Sequence, residues 1–379
     1  MDLSLFIFLA SGMFLGWSLG ANHLANVFGT AVGTRMVSFR SAAFICSVFV
    51  ILGAVVSGAG PTQTLGKLGA VNTLAGAFMV ALAAGLSVFW MTKAGLPVST
   101  TQAIVGGIVG WNLFSATATD PAALTKIMVS WAAGPVLAAF VAMGLYKLVQ
   151  WLLHRSNVHL LRIDAWTRIG LIFAGAVGAY SLGANNIANV VGVFLPVVPF
   201  ANMSVAGVFT LSAAQQLFLI GSIAIAVGVY TYSHKVVHTV GADLLKMSPA
   251  AAFVVVMAHS LVLMVFTSQE LERLLIALGL PPIPLVPISS SEVAVGAVIG
   301  IGLLQGGAGI RWRVLGKIGA GWVLTPVIAA FVCFVGLFFL QNVFQQEVYR
   351  EADAGAPAVH GEPPTAGFAT APEARLVAR

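Results

Sequence analysis

The stretch GANHLAN, residues 20–26, interrupts a long apolar run near the start of the chain, and a near copy, GANNIAN, follows at residues 183–189. The two copies lie 163 residues apart, and His23 in the first stands against Asn186 in the second. Glycine frees the backbone, and asparagine offers a donor, an acceptor and a helix N-cap. The two copies therefore predict interrupted helices that bring polar side chains to one central site.

The chain around these motifs is too apolar for a soluble protein. Of its 379 residues, 59% are hydrophobic and only 8% are charged, and the mean hydropathy is +0.98. A soluble domain carries roughly 25% charged residues. We therefore expect a multi-pass protein of the plasma (inner) membrane, with the lipid bilayer as a partner. The net charge of +6 fits Lys and Arg in cytoplasmic loops, so no nucleic acid is expected as a partner.

Apolar stretches of two lengths alternate along the chain. Those long enough, or nearly so, for a spanning helix of about 20 residues are 3–19, 41–58, 68–91, 130–153, 205–232, 250–268 and 318–342. The shorter pieces are 21–34, 101–118, 170–182, 187–198, 271–280 and 292–306. We expect the shorter pieces to form half-helices, broken helices or re-entrant hairpins, which are tolerated where they line a buried site.

The chain also repeats itself outside the asparagine motifs. LPVSTTQAIVGGIVG at 96–110 resembles VPISSSEVAVGAVIG at 286–300, and residues 126–140 match residues 317–331 at eight of fifteen positions. Three motifs in the same order indicate an internal duplication. We predict an all-α polytopic membrane protein in which two inverted-topology repeats surround a central site. The expected divisions are a first repeat at 1–150, a basic linker loop at 151–168, a second repeat at 169–346 and a disordered polar tail at 347–379.

Each repeat carries a cluster of hydroxyls directly after a proline. PVSTTQ at 97–102 has its counterpart in PISSSE at 287–292. Proline fits the first turn of a helix, and hydroxyls beside unpaired backbone N–H groups suit an oxyanion. Ordinary capping would require one hydroxyl and not three. The candidate substrate-binding residues are Asn22, His23, Asn26, Ser99, Thr100, Thr101, Asn185, Asn186, Asn189, Ser289, Ser290 and Ser291.

Three side chains are candidates for coupling transport to a proton or another cation: Glu292, His23 and Gln102. An ionisable side chain inside a membrane segment is costly and usually marks a substrate or ion pathway. The alternatives are that Glu292 lies in water at a loop edge, that His23 is a neutral core residue, and that the asparagines only join packed helices.

Other chemistry is not expected from this sequence. It contains no GxxxxGK[ST] loop, no nucleophile–base pair and no His/Cys cluster with metal-ligand spacing, and His234 and His238 are expected in a polar loop. We therefore expect neither an enzyme nor a resident metal or cofactor. A homodimer is compatible with such a chain.

Taken together, the motifs resemble the inorganic phosphate transporter (PiT) family, over nearly the whole chain except the tail. The two asparagine motifs, the two PxS clusters and the stretch at 311–326 occur in the order of that family. The resemblance implies a secondary transporter with inverted repeats, an anion at the centre and cation-driven symport.

The chain departs from the family pattern at charged positions. The family motif GANDxAN carries aspartate where His23 and Asn186 stand here, and its STTH ends here in Gln102. Phosphate near neutral pH keeps a proton that a carboxylate can accept, whereas sulfate only accepts hydrogen bonds. The lost aspartates therefore favour sulfate, carried by a permease with proton symport and with sodium as the alternative cation. The alternatives are an inorganic phosphate symporter, a carrier of another oxyanion, and a receptor that does not transport.

Overall fold

The computed structural model describes residues 3–69, 71–155, 159–205, 209–238, 247–307 and 309–350. Their regular structure is almost entirely helical. The helices are α1 (Leu3–Gly33), α2 (Phe39–Ser57), α3 (Ala59–Leu68), α4 (Leu74–Lys93), α5 (Thr100–Phe114), α6 (Pro121–Arg155), α7 (Leu160–Val191), α8 (Ala213–Tyr232), α9 (His234–His238), α10 (Pro249–Thr267), α11 (Gln269–Ala277), α12 (Ser290–Leu304) and α13 (Trp312–Asn342). A 3-10 turn at Gly192–Phe194 and an antiparallel hairpin of β1 (Met203–Val205) and β2 (Phe209–Leu211) connect α7 to α8.

Eight of the described helices are long and apolar enough to cross a membrane: α1, α2, α4, α6, α7, α8, α10 and α13. Their outward faces carry exposed large apolar side chains, such as Phe140 on α6 and Phe331 on α13. Helices satisfy every backbone polar group internally, which is the requirement for crossing lipid. The predicted all-α polytopic membrane protein is confirmed. The inverted orientation of the two repeats stays a prediction.

The asparagine motifs do not break their helices, contrary to expectation. Both α1 and α7 run without interruption through GANHLAN and GANNIAN. Gly20 and Gly183 serve close helix packing instead: a Cβ at Gly20 would collide with the Ile225 carbonyl of α8, and one at Gly183 with the Val50 carbonyl of α2. The glycines are needed for a short distance between helices, not for a break.

The true half-helices are α5 and α12, each of 15 residues. At a rise of 1.5 Å per residue they span about 22 Å, less than the roughly 30 Å of a hydrocarbon core. Gly95, at a φ of 74° that side chains rarely adopt, turns the chain out of α4 into the extended segment before α5. Both half-helices begin among buried residues, as expected of broken elements that line a site.

The two repeats interlock rather than form separate bodies. Helix α1 packs on α8 and α7 packs on α2, while α5 packs on α13 and α12 packs on α6. Glycines mediate the last two contacts as well, since Gly106 lies against the Pro326 carbonyl and Gly296 against the Pro135 carbonyl. Helices of each repeat therefore pack directly against helices of the other.

Two predicted boundaries need correction. The loop expected at 151–168 is largely helical, because α6 continues to Arg155 and α7 begins at Leu160. The polar tail expected from residue 347 begins later, because Val348 is buried and its carbonyl accepts a hydrogen bond of 2.9 Å from the Trp111 indole N–H. The predicted disorder of residues 351–379 concerns a segment outside the described residues.

Candidate functional site

The first asparagine of each motif anchors the extended segment of its own repeat. Asn22 Oδ1 accepts from the Val98 N–H at 3.2 Å, and its amide donates to the Leu96 carbonyl at 3.0 Å. Asn185 Oδ1 likewise accepts from the Ile288 N–H at 3.0 Å, and its amide donates to the Ile288 carbonyl at 2.8 Å. Both side chains were predicted to bind substrate. In the structure they hydrogen-bond buried backbone groups of that segment, and their contact with substrate stays a prediction.

The last asparagine of each motif reaches across to the other repeat. The amide of Asn26 donates to Ser290 Oγ at 3.2 Å and to Ser291 Oγ at 3.0 Å. The amide of Asn189 donates to Thr101 Oγ1 at 3.0 Å. An i, i+4 spacing along α1 and along α7 allows one motif to hold both half-helices at once.

Two predicted substrate hydroxyls act as ordinary N-caps. Ser99 Oγ accepts from the Gln102 N–H at 3.2 Å, and Ser289 Oγ accepts from the Glu292 N–H at 3.3 Å. The capping alternative is therefore correct for one hydroxyl in each cluster. The caps direct the N-termini of α5 and α12 into the buried centre, and helix N-termini favour anions.

Two further hydroxyls bridge the repeats through backbone carbonyls. Thr101 donates to the Ile288 carbonyl at 3.3 Å, and Ser291 donates to the Val98 carbonyl at 2.7 Å. Each hydroxyl proton is thus committed to the extended segment of the opposite repeat. Thr101 and Ser291 thus crosslink the repeats, and their predicted contact with substrate stays a prediction.

The Thr100 hydroxyl of the first cluster lies between His23 and Asn186, the two residues that replace the aspartates of the family motif. Thr100 Oγ1 is 3.3 Å from His23 Nε2 and donates to Asn186 Oδ1 at 3.3 Å. The Asn186 amide donates back to the Leu182 carbonyl at 3.1 Å, and Asn189 donates to Asn186 Oδ1 at 3.1 Å. Asn186 therefore has little hydrogen-bonding capacity left for a substrate.

The two cluster ends meet directly. Gln102 Nε2 donates to Glu292 Oε1 at 2.7 Å, which joins α5 of the first repeat to α12 of the second. Glu292 is only 3% exposed, so it does not lie in water at a loop edge. Its second oxygen, Oε2, has no partner among the described residues.

Every predicted site residue is enclosed, and none is more than 4% exposed. Among the predicted site residues, four buried acceptor oxygens have no donor within the described part of the chain: Asn26 Oδ1, Gln102 Oε1, Asn189 Oδ1 and Glu292 Oε2. Buried polar atoms without partners are costly. The centre therefore combines the N-termini of α5 and α12, which favour an anion, with acceptor oxygens that can bind a cation or a proton.

One site residue was missed by the sequence analysis. His259 on α10 is completely buried, and its Nε2 lies 3.1 Å from Ser290 Oγ. It sits within the apolar stretch 250–268, where an ionisable residue is by itself a signal of function. His259 belongs to none of the repeated motifs, so the sequence repeat does not point to it.

Known proteins resemble this chain over most of its length. The model of the phosphate transporter family matches residues 19–333. A Methanocaldococcus jannaschii protein named "Putative phosphate permease" is 27% identical over 335 residues, which covers 88% of this chain and 97% of the relative. A Thermococcus kodakarensis protein of the same name is 26% identical and covers 88% of this chain and 96% of the relative.

A solved structure shares the fold. The structure titled "The sodium-dependent phosphate transporter" superposes with a TM-score of 0.69 at 24% identity, and the match covers 89% of this chain and 99% of that one. At this identity the likeness establishes the fold alone.

Proposed function

This chain belongs to the phosphate transporter family, and we propose that it is a secondary transporter of inorganic phosphate in the plasma (inner) membrane, coupled to a co-transported cation. The observation that carries the proposal is the enclosed centre, where the capped N-termini of α5 and α12 lie among buried residues and Glu292 keeps one carboxyl oxygen without a partner among the described residues. The names of the relatives support the same substrate. We assign the chain no enzymatic activity.

The substrate contacts follow from the capacity that remains in the site. The free N–H groups at the starts of α5 and α12, with the hydroxyl of Ser290, bind the oxyanion, and Thr100 and His23 lie beside them. Hydrogenphosphate differs from sulfate in having a P–OH donor. Glu292 Oε2, three residues beyond the Ser289 cap and without a partner, can accept that proton.

We therefore propose phosphate ahead of sulfate, although the sequence alone favours sulfate. The missing aspartates at His23 and Asn186 remain the one feature that favours sulfate. The comparisons do not support sulfate, and Glu292 offers an acceptor for the phosphate proton in place of the missing aspartates. Sulfate therefore stays as the second candidate, to be tested in parallel.

A cation must accompany the anion if uptake runs against a negative interior. Moving each charge costs about 2.3 kcal/mol per 100 mV. The unused oxygens of Asn26, Gln102, Asn189 and Glu292 are of the type that hard cations prefer. We propose sodium as the coupling ion, with a proton on Glu292 as the alternative.

Labelled uptake into proteoliposomes tests the proposal. Phosphate and sulfate are each supplied with an inward sodium gradient, with a proton gradient and with neither. We expect sodium-driven phosphate accumulation that excess sulfate leaves unchanged, and its loss in Glu292→Gln but not in Glu270→Gln, which removes an exposed carboxylate of α11. Proton-driven uptake of sulfate, indifferent to phosphate, would reverse the assignment of substrate and ion.

A further inference from the structure

His259 comes from outside the repeated motifs and contacts the site through one hydroxyl. It lies on α10, which packs against both α1 and α12. Its ring is completely buried, and Nε2 lies 3.1 Å from Ser290 Oγ. A buried histidine of an apolar helix therefore contacts the hydroxyl of Ser290 in the second cluster.

Ser290 differs from the other three hydroxyls that follow the caps. The protons of Thr100, Thr101 and Ser291 are donated to Asn186, to the Ile288 carbonyl and to the Val98 carbonyl, respectively. Ser290 Oγ accepts from Asn26 at 3.2 Å and has His259 as its other neighbour. A hydroxyl has two acceptor sites and one proton. If both neighbours donate, the Ser290 proton has no protein acceptor within the described residues and is free for a ligand.

We propose that His259 is a positioning residue for the transported oxyanion, and that its Nε2–H donates to Ser290 and directs the Ser290 hydroxyl proton towards the anion. The inference rests on the proposed function and deepens it. In the opposite tautomer Ser290 would donate to His259, and an oxygen lone pair would face the anion. The tautomer of one remote histidine thus decides whether Ser290 attracts or repels the substrate.

Two variants that place an amide nitrogen at different ring positions separate this role from packing. In His259→Gln the amide nitrogen reaches the place of Nε2 and can still donate to Ser290, whereas in His259→Asn the amide reaches only as far as Nδ1. Both variants are neutral, polar and smaller than histidine. We expect the Asn variant to raise the KM for labelled phosphate about tenfold with kcat little changed, and the Gln variant to stay near wild type. A role in packing alone would lower the unfolding temperature of the variants, more for Asn than for Gln, and would leave KM unchanged.

A double-mutant cycle shows whether His259 acts through Ser290. In a Ser290→Ala background, His259→Asn is expected to cause no further loss of affinity. Equal KM values for the Gln and Asn variants, or independent losses in the cycle, would overturn the inference.

Two further results bear on the inference separately from the variants of His259. Should those variants fail to fold, Ser290→Ala alone is expected to raise KM about tenfold, and an unchanged KM would also overturn it. Wild-type protein that transports neither phosphate nor sulfate would overturn the proposed function, and this inference with it.

Discussion

The two repeats of the site are alike in their scaffold and unlike in their chemistry. Asn22 holds the backbone at Val98 in the first repeat as Asn185 holds it at Ile288 in the second. The last residues of the two hydroxyl clusters differ. The first cluster ends in the neutral Gln102, which donates a hydrogen bond to the Glu292 carboxyl at the end of the second. His259 on α10 adds a further polar side chain to the second cluster. Positions that fix geometry have been kept in duplicate, and positions that carry charge have not.

This difference suggests a division of labour. A symmetric scaffold gives two equivalent helix N-termini that face one centre, which suits one central anion. Glu292 and His259 both belong to the second repeat, which lets that repeat carry the coupling chemistry. If the comparison is right, scaffold variants in either repeat have equal effects, and chemical variants have effects that depend on the repeat.

The largest effect is expected where helices of the two repeats touch through glycine. Gly183→Ala would drive a Cβ into the Val50 carbonyl, and Gly20→Ala into the Ile225 carbonyl. Neither backbone can yield, so we expect each variant to lose more than about 3 kcal/mol of stability. Thermal unfolding of purified protein measures this loss. Gly144→Ala on α6, where no atom lies within 4 Å, is the control and should be neutral or stabilising.

A smaller loss of stability is expected at the paired anchors. Asn185→Leu leaves the Ile288 N–H buried without a partner and removes one of the two donors to the Ile288 carbonyl, which costs about 2–4 kcal/mol. Asn22→Leu should cost a similar amount because its role is equivalent. Melting temperatures of the two variants and of the exposed control Asn342→Leu test the symmetry. A large loss in one repeat only would show that the scaffold is not symmetric.

The Gln102–Glu292 contact tests the chemical asymmetry. Glu292→Gln is expected to lower cation-driven phosphate uptake at least about tenfold, because the acceptor of the P–OH proton is lost. The double variant Gln102→Glu with Glu292→Gln moves the carboxyl to the other repeat and keeps the hydrogen-bonded pair. Partial recovery of driven uptake would place the carboxyl near the symmetry axis of the site. No recovery, with equal stability, would mean that coupling needs the second repeat.

The smallest effect is expected at the far end of α5. Trp111 donates to the Val348 carbonyl, whereas α12 carries Ile301 at the matching place, which cannot donate. Trp111→Phe should cost about 1 kcal/mol, from the loss of one neutral hydrogen bond. Thermal unfolding measures this cost, and unchanged uptake kinetics are expected because the contact is distant from the cluster end of α5. A changed KM would link the segment around Val348 to the site.

Much of the fold was predictable from the sequence because it depends on local composition and spacing. An 8% share of charged residues identifies lipid as the solvent, and lipid then requires helices. The duplicated motifs located Asn26, Asn189, Gln102 and Glu292 at one centre before any contact was known. Burying a carboxyl is costly, which predicts a functional role for Glu292, and its side chain is enclosed.

Only the tertiary structure decided which partner each polar group has. Asn26 contacts residues 264 and 265 positions away, and Asn185 contacts one 103 positions away, so no local pattern could assign them. The sequence also could not show why the helices are unbroken at the asparagine motifs. Gly20 is needed for its close contact with α8, and that contact depends on a helix distant in sequence. His259 entered the site through packing of α10 and not through a motif. Composition sets the solvent and the secondary structure, but hydrogen-bond partners are chosen by the approach of distant helices.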